Sequence, residues 1–129
     1  MAGGFGADAP HLPSPAPIDA YGNGGFRFAG MSHRGSLLCF PDGIWAWPVG
    51  AAGELTEALL QPALARAQSL DIFLLGAGGD PWPLPPALRE RFRAVGLSVD
   101  AMATGAAVRT YNILLAEKRR VGAGLIAVG

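Results

Sequence analysis

The 129 residues supply enough chain for one hydrophobic core and too little for two. Half are apolar and only 16% are charged, which excludes a disordered chain and leaves so little polar surface that an apolar patch, covered by a partner or a second copy, is expected. Ten basic residues balance ten acidic ones with no long block of either sign, so nucleic acid is excluded as a natural partner.

In chain order, residues 1–17 hold Gly3, Gly4, Gly6, Pro10, Pro13, Pro15 and Pro17, with Phe5 and Leu12 as the sizeable apolar groups. That is too little burial to offset ordering entropy, so this segment is expected to be a flexible tail and 18–129 a single domain. The tail carries Asp8 but neither Lys nor Arg, unlike a secretory signal or a mitochondrial presequence. No apolar run approaches the roughly 18 residues of a membrane span, and the expected location is cytoplasmic.

Short strand-like runs follow at 18–21, 26–29, 36–40 and 44–49. Gly22, Asn23, Gly24 and Gly25 form the clearest turn, because glycine and asparagine accept the positive φ of a tight hairpin; Pro41, Asp42 and Gly43 serve the next connection. These runs predict an antiparallel meander. Cys39, the lone cysteine, falls in an apolar run and reads as a small core residue.

The second half has longer periods. Thr56 is the expected cap of a helix carrying Leu59, Leu60 and Leu64, which Pro62 should break or restart. Residues 71–75 read as a strand apolar on both faces, ending in a loop of Gly76, Ala77, Gly78 and Gly79. Pro85 and Pro86 open a second helix that buries Leu88, Phe92 and Val95, leaves Arg89, Glu90, Arg91 and Arg93 to solvent, and closes on Gly96 as a left-handed cap. A short strand at 97–99 precedes a third helix, capped by Thr104, that turns Ala107, Tyr111, Leu114 and Leu115 inward. Lys118, Arg119 and Arg120 are expected to complement that helix's negative end. Residues 121–128 read as an interior strand. The prediction is a layered α/β domain in which N-terminal antiparallel strands join a βαβαβ half, with a mixed sheet flanked by helices.

The residues that carry chemistry are sparse. The glycine loop fails the dinucleotide-binding pattern, since Pro81 stands where a helix should begin. His11 and His33 have no Cys, Asp or Glu at metal-ligand spacing, and Ser14, Ser32, Ser36, Ser69 and Ser98 lie outside any G-x-S-x-G elbow. Thr104 and Gly105 leave free amides at a helix start, with Arg109, Thr110 and Asn112 nearby, a grouping suited to a small anion or a partner's carboxylate. The alternative is that Tyr111 and Asn112 hydrogen-bond neighbouring loops and Arg109 points into solvent. Trp45, Trp47 and Trp82 are either partner anchors or core.

The run from Thr104 through Leu114, with Arg120, Val121 and the stretch from Ala123 to Ile126, resembles a known domain of unknown function. Leu75, Gly76, Ala77 and Gly78 are similar to that family's glycine loop, and residues 18–26 to its opening strand and turn. Two positions depart from its pattern: Ala77 replaces a frequent threonine, and Lys118 replaces a glycine common before the arginine. Relatives in this family include a mitochondrial assembly factor for respiratory complex I. The resemblance implies a compact layered fold with a mixed sheet and an assembly role, and supplies no catalytic residue.

The resulting expectation is a non-catalytic interaction or assembly protein with no metal and no cofactor, whose partner is another protein, a membrane-complex subunit or a second copy. Gly76, Ala77, Gly78, Trp82, Thr104, Arg109, Tyr111 and Asn112 are its candidate partner- or ligand-binding residues. The rival is a small-molecule binder or enzyme using a cleft between the 76–79 loop and the 104–112 helix segment.

Overall fold

A computed structural model describes residues 9–129; part of the expected tail, residues 1–8, lies outside the described residues. Among the described residues, eight strands run in two sheets. The first is an antiparallel three-stranded sheet of β1 (Ala20–Gly22), β2 (Gly25–Phe28) and β3 (Met31–Arg34). The second contains β4 (Ser36–Phe40), β5 (Gly43–Trp47), β6 (Ile72–Gly76), β7 (Val99–Met102) and β8 (Val121–Leu125), in the order β5-β4-β8-β6-β7. Strands β6, β7 and β8 are parallel, and β4 runs antiparallel to both β5 and β8. The layered α/β architecture read from pattern is the one observed.

Alternation along the larger sheet divides the core in two. Leu38, Phe40, Trp45, Trp47, Phe73 and Leu75 face one way, toward α1 (Glu57–Leu64) and α2 (Pro86–Ala94). Leu37, Cys39, Ile44 and Leu74 face the other, where α3 (Thr104–Ala116) and the small sheet's Phe26 and Phe28 cover them. Each fully buried side chain of this size stabilises the fold by about 1.5–3 kcal/mol relative to exposure.

The central strand β8 contributes glycines where the first face is most crowded. A Cβ on Gly124 would lie 2.8 Å from the Trp47 ring and 3.0 Å from Phe73, and one on Gly122 would lie 3.0 Å from Leu70 and 3.1 Å from Phe40. The two glycines therefore form a trough into which the aromatic layer settles. Phe73 stacks between Phe40 and Phe92 there, with ring centroids 6.2 and 5.7 Å apart.

Several local expectations are corrected. Helix α1 runs through Pro62, because Thr56 caps it and burial of Leu60, Ala63 and Leu64 offsets the one missing backbone bond. Val95 is exposed, since α2 ends at Ala94 and Gly96, at φ 72°, turns the chain in a Schellman motif closed by Leu97 N–H on Phe92 O. The strand expected at 97–99 lies at 99–102, and β3 had no apolar signal to announce it. The N-terminal meander is also split between two sheets. From residue 9 onward the expected tail touches the domain: His11 N–H donates to Ile44 O at 2.8 Å, Ile44 N–H to Leu12 O at 2.9 Å, and Ala16 is buried.

The side chains of Arg119 and Arg120 do not serve the end of α3. Both reach Asp71 instead, at 3.7 and 2.7 Å, tying the entry of β8 to that of β6. The Arg120 side chain and backbone N–H hold the Asp71 carboxyl below the usual carboxylate range.

Candidate functional site

The expected binding residues do not form one site: two groups are held by separate hydrogen bonds, and Arg109 and Trp82 belong to neither. The first surrounds Thr104. It sits at the first position of α3, whose N-cap is Ala103, so its hydroxyl does not cap its own helix as expected. Its side chain is fully buried and turned toward the 76–79 loop. Thr104 Oγ1 accepts from Gly78 N–H at 2.9 Å and donates to Ile126 O at 2.7 Å, while Thr104 N–H donates to Gly78 O at 2.8 Å. Gly76, at the end of β6, receives Ile126 N–H at 2.9 Å on its carbonyl. A Cβ on Gly76 would stand 3.0 Å from Thr104 Cα, so helix and strand approach there through the missing side chain. Ala77 is buried and its N–H donates to Met102 O at 2.8 Å.

This geometry removes the cleft expected between the glycine loop and the start of α3. The two are joined directly by hydrogen bonds, and the helix-start threonine that suggested an anion site spends its hydroxyl internally. An open cleft of about 570 Å³ does adjoin the loop, but on its other side. Gly78, Gly79, Asp80, the half-buried Trp82, Ala51 and Val128 line it, and no residue of α3 does.

Tyr111 and Asn112 form the second group, and both hold the N-terminal segment. Asn112 accepts from Ile18 N–H at 2.8 Å and donates to Ile18 O at 2.9 Å, replacing a strand partner for that residue. Tyr111 is fully buried; its hydroxyl donates to Ala16 O at 3.0 Å and contacts Cys39. Burial pushes the Cys39 thiol up to about 12, which suits a core residue and not a nucleophile. Arg109 stands apart, exposed on α3. Among the tryptophans, Trp45 and Trp47 belong to the core, where Trp47 Nε1 donates to Leu59 O at 3.0 Å.

Two features escaped the sequence reading. Ser36, weighed only as a nucleophile, is buried; it donates to Val49 O at 2.6 Å and accepts from Ala127 N–H at 3.0 Å. With Gly24 N–H on Val128 O at 2.7 Å, this fixes the chain after β8 against both sheets. The second feature is a hollow of about 390 Å³ on the small sheet, bordered by Arg27, Ser32 and Arg34. No element-by-element pattern brings these three together; only the β2–β3 register does. Among the described residues, no three His, Cys, Asp or Glu groups gather as metal ligands, and no helix is long and apolar enough to cross a membrane.

A two-faced α/β layer whose polar side chains mostly tie its own segments together is the class of protein that this geometry defines. The chain belongs to the family described as protein of unknown function (DUF498/DUF598), whose model matches residues 18–126. It is 40% identical over 117 residues to an uncharacterized protein of Rhodobacter capsulatus, covering 91% of this chain and 89% of that one. It is 28% identical over 109 residues to NADH dehydrogenase [ubiquinone] 1 alpha subcomplex assembly factor 3 of Danio rerio, covering 84% of this chain and 63% of that protein. A crystal structure described as an outer membrane protein from Bartonella henselae superimposes with a TM-score of 0.88 at 47% identity, covering 92% of this chain and all of that one.

Proposed function

We propose that this chain is a non-catalytic interaction protein that assists assembly of a multi-subunit membrane complex of the respiratory type, acting from the cytoplasm through contacts with a protein subunit. The observation that carries this reading is the similarity to assembly factor 3 across most of the domain. The fate of the polar residues supports it: Thr104, Tyr111, Asn112 and Ser36 are engaged in holding segments together, which is what a rigid docking scaffold requires. The test is a deletion strain. Respiratory complexes resolved on native gels should show loss of a mature complex and accumulation of a subassembly, restored by the wild-type chain. Unchanged complexes, with no membrane subunit enriched on the tagged protein, would sink the proposal.

A further inference from the structure

The hollow on the three-stranded sheet adjoins an open strand edge. In β2–β3 pairing Arg27 lies opposite Ser32 and Gly25 opposite Arg34, and alternate residues share a face, so Arg27, Ser32, Gly25 and Arg34 lie on one side. Gly22 lies opposite Gly25 on that same side, leaving a floor of bare backbone beneath the two arginines. Arg27 Nη1 donates to Ser32 Oγ at 3.3 Å, which leans its guanidinium toward β3. Neither Arg27 nor Arg34 has an ion pair among the described residues; Arg89 and Arg109 on the helices have none either, but only Arg27 and Arg34 share one face of a sheet. Among the described residues, no acidic one lines the hollow.

The hydrogen-bond phase exposes the edge. Asp19 N–H donates to Arg27 O at 2.8 Å, so the Arg27 backbone faces β1, and Phe26 and Phe28 face β3. Gly35 N–H on Gly24 O at 2.7 Å keeps that phase. Met31 and His33 therefore spend their backbone groups on β2, and Ser32 and Arg34 point theirs away from the sheet. Both residues are exposed, and β3 is the last strand. An open edge of this kind is a template for a further strand.

We propose that an extended acidic segment of a protein partner adds to the β3 edge, bonding the Ser32 and Arg34 backbone and seating its carboxylates on Arg27 and Arg34. This deepens the interaction role proposed above and rests on it. Charge selects the occupant: a second copy paired edge to edge would bring both chains' arginines onto one face, and like charges across a strand pair destabilise it. An acidic strand neutralises them.

The test uses the full chain, isotope-labelled for NMR, and a capped peptide of about eight alternating glutamate and threonine residues, a length typical of strands. Ser32 and Arg34 amides should shift first and gain exchange protection. The Arg27→Glu/Arg34→Glu variant, whose changed side chains are both exposed, should bind roughly tenfold more weakly and accept the lysine–threonine counterpart instead. Ser32→Pro, which removes the outward N–H together with the hydroxyl that Arg27 reaches, should weaken binding with the fold intact and by more than Ser32→Ala, which removes the hydroxyl alone. Shifts centred elsewhere, binding undiminished by charge reversal, or no binding at millimolar peptide would overturn the proposal, as would sedimentation showing a dimer that Ser32→Pro dissociates. Used as baits in cells, wild type and the double variant separate the two claims: a subunit recovered equally by both removes the β3 edge and leaves the assembly role, and normal complexes with nothing recovered by either remove the role itself.

Discussion

Thr104 Oγ1 donates to the Ile126 carbonyl across 2.7 Å with both residues out of solvent, and that bond joins the start of α3 to the chain leaving β8. The same oxygen receives Gly78 N–H, so one hydroxyl satisfies backbone groups from two strand ends. Thr104→Val keeps the shape and strands both partners. It should destabilise by about 2–4 kcal/mol, read as a lower urea midpoint with unchanged slope, while Thr104→Ser should stay within about 1 kcal/mol of wild type.

Gly124→Ala places a methyl against the Trp47 and Phe73 rings, and Phe73 cannot move without disturbing its stack on Phe92, nor Trp47 without straining its bond to Leu59 O. Overpacking of this kind should cost about 1–3 kcal/mol. Combined with Trp47→Leu, which opens room beside β8, the loss should fall short of the summed single losses by at least about 0.5 kcal/mol; strict additivity in thermal melts would contradict the contact.

Lys118 occupies the left-handed region at φ 62° and closes α3 in a Schellman motif, with Lys118 N–H on Leu115 O at 2.9 Å and Arg119 N–H on Leu114 O at 3.0 Å. A side chain is strained there and glycine is not. Lys118→Gly should raise stability by about 0.5–1 kcal/mol after glycine's greater unfolded entropy is counted, and Lys118→Ala should not. Chemical denaturation of the three proteins decides it.

His33 lies 4.8 Å, ring to ring, from His11, beside the entry to β4. Desolvation and the neighbouring His11 hold its pKa below the usual 6.5, against a partial offset from the Ser36 carbonyl. The unfolded chain thus takes up a proton at higher pH than the folded one. The contribution of His33 to stability is complete above the unfolded value, about pH 6.5, and declines as pH falls toward the folded pKa. An NMR titration should place the His33 midpoint under 6.5, and His11→Asn should raise it without restoring the ordinary value, since burial persists. A midpoint at or above 6.5 in the wild type would refute this account.

Length, low charge and apolar periodicity by themselves determined a layered α/β fold, the doubly covered strands β6 and β8, the Thr56 and Gly96 caps, and Cys39 as core, because each depends on neighbours within a few residues or on the simple sum of apolar surface. Tertiary structure alone decided what the polar residues do. Thr104 became a bridge instead of a cap, Asn112 a clasp on Ile18 and Ser36 a tie to Ala127, since hydrogen-bond partners about ninety residues away or the length of a helix apart leave no local trace. The same holds for Arg27 and Arg34: their separation along the chain says nothing of a shared face, which arises only when the turn between β2 and β3 fixes the register.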